Sequence, residues 1–126
     1  MNRTFFKNLK YLGLIIAPAI IPTSTSAQIV GSYNIVAAHS GKCAQVNGAT
    51  QNNGAVISQW DCSTANNVQW TFVYAGQGYF YIKAKHSGKC AQVNGATQDN
   101  GAVISQWDCA DANNVKWKLN PIVIVK

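Results

Sequence analysis

The chain has 126 residues and a formal net charge of +6, and only 11% of its residues are charged. This length favours one domain of ordinary size. The sequence contains four Asp and no Glu, and two of the Asp occupy equivalent places in two repeated segments, where they would not approach each other as an acid–base pair must. We therefore expect neither an enzyme nor a cofactor.

The first 27 residues have the order of a secretory signal peptide. Three basic residues precede an apolar run over 11–21, and small residues follow as far as Ala27, the expected cleavage position. The run is too short for a bilayer, which needs roughly 20 apolar residues. We predict a signal peptide over 1–27 and an exported protein, periplasmic or extracellular, over 28–126, with no membrane span in the mature part.

The net charge of the mature part, residues 28–126, argues against nucleic acid as a partner. Residues 28–126 hold seven Lys, four Asp and no Arg, a net charge of +3. The Lys are scattered along the chain, whereas nucleic-acid binding is indicated by a clustered basic face, often with Arg on phosphates or bases.

From Ser32 onward, short apolar segments alternate with turns rich in Gly and Asn, and no stretch has a helical period of ordinary helix length. This pattern predicts an all-β protein. The expected strands are 32–38, 43–47, 55–60 and 68–75, and the cycle restarts at 79–85.

The segment from His39 to Trp70 recurs 47 positions later, from His86 to Trp117. A period of this size indicates an architecture of repeated structural units. We expect two repeats of four strands each, about 32–75 and about 79–122. Only four positions differ between the copies: Asn52/Asp99, Ser63/Ala110, Thr64/Asp111 and Gln69/Lys116.

Each repeat contains two cysteines, Cys43 and Cys62 in the first and Cys90 and Cys109 in the second. Export places them where disulfides form. Four cysteines allow three connectivities and the repeat excludes none of them. We favour a bridge within each repeat, because both copies can then form it identically. Neither pair has the C-x-x-C spacing of a zinc site, so no metal is expected.

The stretch SGKCAQVNGATQNNGAVISQWDCSTANNVQWTF resembles one unit of the ricin B-type lectin family, a β-trefoil carbohydrate-binding module. The resemblance lies in the Ser-Gly-Lys-Cys turn, the Asn-Gly-Ala segment, Gln-Trp-Asp-Cys and the Asn-rich loop that ends in a Trp. It implies units arranged about a pseudo-threefold axis, a disulfide in each unit and a shallow sugar pocket on each unit. Two repeats would leave the trefoil incomplete, and a homo-oligomer could complete it.

The resemblance also implies the residues that bind sugar. It assigns the stacking aromatic to Trp60 and Trp107, a polar contact to Asn67 and Asn114, and the position of an acidic residue to Gln45 and Gln92. An amide can donate and accept hydrogen bonds but lacks the stronger charge-assisted bond. Two further positions also depart from the family pattern, at Ser58 and Ser105 and at Val68 and Val115. Carbohydrate binding is therefore expected, without assigning galactose.

The tryptophans fall into two groups. Trp70 and Trp117 alternate with apolar neighbours and are expected in the core. For Trp60 and Trp107 the residues alone leave a sugar platform and packing against the disulfide equally open, and the resemblance favours the platform.

Two functions remain after these exclusions. The first is a secreted lectin that binds a glycan through one pocket per repeat. The second is a trefoil-like scaffold that binds a protein partner and has degenerate sugar pockets. His39 and His86 are expected to be solvated turn residues.

Overall fold

The computed structural model describes residues 29–122, and within this range the fold consists of β-strands and short 3₁₀ turns. The predicted signal peptide, 1–27, lies outside the described residues, as do residues 123–126. The strands are β1 Ser32–Tyr33, β2 Cys43–Val46, β3 Ile57–Trp60, β4 Trp70–Gly76, β5 Tyr79–Ala84, β6 Cys90–Val93 and β7 Ile104–Trp107. The 3₁₀ turns are Asn47–Ala49, Asn66–Val68, Asn94–Ala96 and Asn113–Val115. The predicted all-β class is confirmed.

All strand pairs are antiparallel. Strands β1, β4, β5, β6 and β7 form one sheet in that order, and β2 and β3 form a separate hairpin. The first strand is shorter than predicted: its pairing with β4 ends at Tyr33, and Val36 makes an isolated bridge to Cys43 of β2 instead. The reason is a tight turn in which the N–H of Ala37 bonds the carbonyl of Lys42 and the N–H of Gly41 bonds that of Ala37.

The core forms where the two repeats meet. Its buried hydrophobic residues are Val46, Trp70, Ala84 and Ala91. The indole N–H of Trp70 donates to the carbonyl of Ala44 at 3.0 Å, and that of Trp117 donates to the carbonyl of Ala91 at 2.9 Å. Trp70 is buried and Trp117 is partly buried against the same cluster, so both tryptophans belong to the core as predicted, and each indole N–H has an acceptor.

Within residues 29–122 the core is open on one side. An apolar depression of about 220 Å³ lies there, and each repeat contributes four hydrophobic residues at equivalent positions. The matched pairs are Ile35 and Ile82, Ala44 and Ala91, Ile57 and Ile104, and Trp70 and Trp117.

Residues 49–56 of repeat 1, hereafter the joint loop, pack on repeat 2 and form a non-covalent contact between the repeats. The Nε2 of Gln106 donates to the carbonyls of Thr50 and Asn52 at 2.9 and 2.8 Å, and the Nε2 of His86 lies 2.8 Å from the carbonyl of Thr50. Since His86 is half-buried in this contact, the expectation of a solvated turn residue is wrong for it. His39, its counterpart, is exposed as predicted.

Disulfides form within each repeat. Cys43 is bonded to Cys62 with their Cα atoms 5.0 Å apart, and Cys90 to Cys109 with theirs 5.1 Å apart. The favoured connectivity is confirmed. Each bridge ties the first residue of a hairpin to the loop that leaves it.

Replacing Cys43 and Cys62 together by alanine should lower the free energy of unfolding by about 3 kcal/mol, because the bridge closes a loop of about 20 residues in the unfolded chain. Urea unfolding of the oxidised protein and the double variant measures the difference. The matched control is C90A/C109A, for which we expect a similar loss. Unfolding midpoints equal to that of the oxidised parent would contradict the prediction.

Candidate functional site

The predicted site residues of repeat 1 lie together beside the β2–β3 hairpin. In its register Gln45 faces Ser58 and Cys43 faces Trp60. Because side chains alternate along a strand, these four residues share one face, whereas Ala44 and Val46 belong to the core face. The 3₁₀ turn Asn66–Val68 packs beside β2 and brings Asn67 to the same place.

Four polar side chains of this face form a closed hydrogen-bond cluster, here called the amide cluster. The Nε2 of Gln45 donates to the Oδ1 of Asn47 and the Oγ of Ser58, both at 3.2 Å. The Oε1 of Gln45 accepts from the Nδ2 of Asn67 at 3.2 Å, and this Nδ2 also donates to the carbonyl of Val46 at 3.1 Å. The hydroxyl of Ser58 donates to Asn47 as well. Gln45 is only 7% exposed, so its amide needs these partners.

Repeat 2 builds the same cluster. The Nε2 of Gln92 donates to Asn94 at 3.3 Å and to Ser105 at 3.1 Å, and its Oε1 accepts from Asn114 at 3.0 Å. Asn114 also donates to the carbonyl of Val93 at 3.2 Å. Because the geometry recurs, it follows from the repeated sequence rather than from the surroundings of one copy.

The amide cluster changes what the predicted residues can do. The amide groups of Gln45 and Gln92 are already bound within the protein, so these residues hold the neighbouring side chains in place. Asn47 and Asn94 are exposed at the rim of the cluster. Sequence reasoning missed both, because Asn followed by Gly was interpreted only as a turn signal.

Trp60 and Trp107 stand at the end of the same face in the two repeats. Trp60 is 63% exposed and Trp107 is 43% exposed, so neither is a core residue. The joint loop accounts for part of the difference, because a Cβ atom added to Gly54 would lie 3.9 Å from the Cζ3 atom of Trp107. The two faces are thus equivalent in sequence but differ in how far their tryptophans are covered.

The carboxylates near the tryptophans are held in ion pairs. Lys42 donates to Asp61 at 2.7 Å, and this hydrogen bond holds the pKa of Asp61 below its usual range. Asp108 bonds Lys89 and, at 3.1 Å, the side-chain amide of Asn53, and its pKa is lowered as well, mainly by the bond from Lys89. Both carboxylates are solvent-exposed and ionised at neutral pH.

Within residues 29–122 there is no group of three or more His, Cys, Asp or Glu side chains that could hold a metal ion. In the same range, no helix has the length and apolar character needed to cross a membrane.

The repeats, their open apolar core and their strand order define a protein of the β-trefoil class. The sequence matches the family of ricin-type β-trefoil lectin-like domains over residues 23–107 and again over 66–123. These matches cover most of the chain, and it belongs to this family. A comparison with curated proteins found no match.

Solved structures with the same fold include a designed protein, ThreeFoil, and a natural enzyme. ThreeFoil, which has threefold symmetry, is 37% identical with a TM-score of 0.71, and the match covers 73% of this chain and 66% of that one. An exo-β-1,3-galactanase from Clostridium thermocellum is 31% identical with a TM-score of 0.70, over 74% of this chain and 20% of the enzyme. The chain thus spans less than two thirds of each of these proteins.

A lectin from Polyporus squamosus, solved with a bound sialylated trisaccharide, shares the fold. It is 20% identical with a TM-score of 0.56, and the match covers 71% of this chain and 31% of the lectin.

Proposed function

We propose that this chain is an exported, non-enzymatic lectin that binds glycans through one shallow pocket on each repeat. The observation that most supports this proposal is the exposed Trp60 beside a fully hydrogen-bonded amide cluster. An indole ring with one free face can stack on the apolar face of a sugar, as large rigid aromatics in binding sites do. The same arrangement at Trp107 supports a second pocket.

The polar part of each pocket suits neutral sugars. Asn67 and Asn114 are half-buried and fixed by two hydrogen bonds each, and the exposed Asn47 and Asn94 add further amide groups at the rim. The Oδ1 of Asn67 and Asn114 can accept from a sugar hydroxyl, and the Nδ2 of Asn47 and Asn94 can donate to one. Gln45 and Gln92 act as supports that reduce the ordering cost of binding.

The location proposed for this lectin agrees with its chemistry. Its disulfides are typical of proteins in an oxidising compartment, and we assign residues 1–27 as the signal peptide and 28–126 as the lectin domain. We also propose that copies of the chain associate, since linked weak sites raise avidity by roughly 10² to 10⁴.

Titration of the purified, oxidised protein with mono- and oligosaccharides tests the proposal, with tryptophan fluorescence as the readout. The panel includes galactose, β-1,3-linked galacto-oligosaccharides and sialylated oligosaccharides. We expect a saturable change with one class of sugar, because Trp60 and Trp107 are the more exposed tryptophans. A flat response from a folded protein at millimolar sugar would contradict a lectin and favour the protein-binding scaffold.

A further inference from the structure

In repeat 2 the joint loop covers the surface around Gln106. Among the residues that the structure describes, nothing covers the equivalent surface of repeat 1. Gln106 is fully buried under this loop, whereas its counterpart Gln59 is exposed. Together with Lys42, Trp60 and Asp61, Gln59 lines an open depression of about 300 Å³. The depression in repeat 1 therefore corresponds to surface that the joint loop covers in repeat 2.

Gln59 already has the orientation that the contact requires. Its Oε1 accepts from the hydroxyl of Ser40 at 2.9 Å, as the Oε1 of Gln106 accepts from Ser87 at 2.9 Å. In repeat 2 this leaves the Nε2 of Gln106 to donate to two carbonyls of the joint loop. Among residues 29–122 the Nε2 of Gln59 has no such acceptor.

The segment that would fit this depression exists once more in the chain. Residues 96–103 of repeat 2, here called the free loop, repeat the joint loop with the single difference Asn52/Asp99. The residues that receive the joint loop in repeat 2 also recur unchanged in repeat 1, namely His39, Ser40, Gln59, Trp60 and Asp61. The loop and the receiving residues of a second contact of this kind are thus both present, the loop in repeat 2 and the receiving residues in repeat 1.

The open apolar core indicates the same missing neighbour. It is lined by two equivalent sets of Ile, Ala, Ile and Trp. ThreeFoil has threefold symmetry, and the match covers 66% of its chain, the share that two of three units would occupy. A third repeat would add a third set of these four side chains.

We propose that the third position beside the two repeats is occupied by one repeat of a second copy of this chain. That repeat places its loop, either 49–56 or 96–103, on Gln59 and His39. The same repeat binds the free loop of the first chain through its own His and Gln, which are His39 and Gln59 or His86 and Gln106. This proposal specifies the surfaces of the self-association proposed above and does not depend on sugar binding.

The geometry sets the stoichiometry. If the second copy kept its two repeats packed together, its other repeat would occupy the space of the first chain. Its two repeats must therefore separate at the β4–β5 turn. Each of them then belongs to a different ring of three repeats. Three chains then fill two rings of three repeats. This arrangement doubles the number of inter-repeat joints relative to three separate chains, and such exchange of identical elements is a low-cost route to oligomers.

Replacing Gln59 by Glu tests the proposed joint on the receiving side. A carboxylate cannot donate to the loop carbonyls, and Gln59 is exposed within the chain, so folding should be unaffected. Sedimentation velocity without sugar should give a three-chain particle for the parent protein. The variant should dissociate at a concentration at least about tenfold higher.

A second variant changes the free loop, which binds the receiving residues in the proposed contact. Asn53 of the joint loop donates to Asp108, and the equivalent pair across the proposed joint is Asn100 and Asp61. Asn100→Asp places two carboxylates together there, so it should weaken the oligomer as Gln59→Glu does. Asn66→Asp makes the same substitution at an exposed residue outside both loops, the receiving residues and the β4–β5 turn, and should leave the mass unchanged.

A parent protein that stays monomeric at its highest soluble concentration would overturn the proposal, as would an oligomer that resists both variants. Either result leaves the lectin function intact, because the sugar titration is measured separately. Loss of sugar binding with the three-chain particle retained would overturn only the lectin function.

Discussion

Replacing Trp70 by alanine should remove about 3 to 5 kcal/mol from the free energy of unfolding, a large part of the roughly 5 to 15 kcal/mol that stabilises a typical domain. Trp70 is 1% exposed and fills the core between the repeats, so its loss leaves a cavity. It also removes the donor to the carbonyl of Ala44. Urea unfolding followed by circular dichroism measures the change.

Two variants separate the causes of this loss. Trp70→Phe keeps most of the ring volume but removes the N–H, and should cost about 1 to 3 kcal/mol. Trp60→Ala removes a 63% exposed side chain of the same kind and should cost less than about 1 kcal/mol. Equal losses for Trp70→Ala and Trp60→Ala would show that the core is not organised around Trp70.

Replacing both Trp60 and Trp107 by alanine should lower sugar affinity at least about tenfold, or about 1.4 kcal/mol, because both pockets lose their stacking surface. Calorimetric titration with the sugar identified by fluorescence measures the loss, since the variant lacks the reporting tryptophans.

The controls for this prediction keep an aromatic ring at each position. Trp60→Phe with Trp107→Phe should retain most of the affinity, because stacking needs a flat apolar face more than an indole N–H. Full affinity in the double alanine variant would place the sugar elsewhere on the protein.

Much of the fold follows from sequence patterns that act locally. Strand alternation, Gly and Asn turns and the 47-residue repeat predicted the all-β class, the two units and the core tryptophans. The equivalence of the repeats favoured the disulfide pairing that the structure has, although it excluded neither alternative. The length of β1 did not follow, because it depends on a turn between Ala37 and Lys42 that takes over the hydrogen bonds of the strand.

The site is predicted less completely than the fold, because it depends on which groups are left after the protein has satisfied its own hydrogen bonds. Gln45 was expected to contact sugar, yet its buried amide is bound to Asn47, Ser58 and Asn67. Similarly, His86 looked like a turn residue, and its contact with Thr50 arises only when the repeats meet. Such long-range contacts leave no signal at one position of the sequence.

The contact of the joint loop with Trp107 affects how this family could vary by duplication. The edge of Trp107 is bordered by Gly54 of the preceding repeat, while Trp60 of the first repeat lacks that border among residues 29–122. The pocket proposed at Trp107 is therefore shaped by two neighbouring repeats rather than by one. Gaining or losing a repeat would then change the shape of an existing pocket as well as the number of pockets, so that selectivity and valency would evolve together.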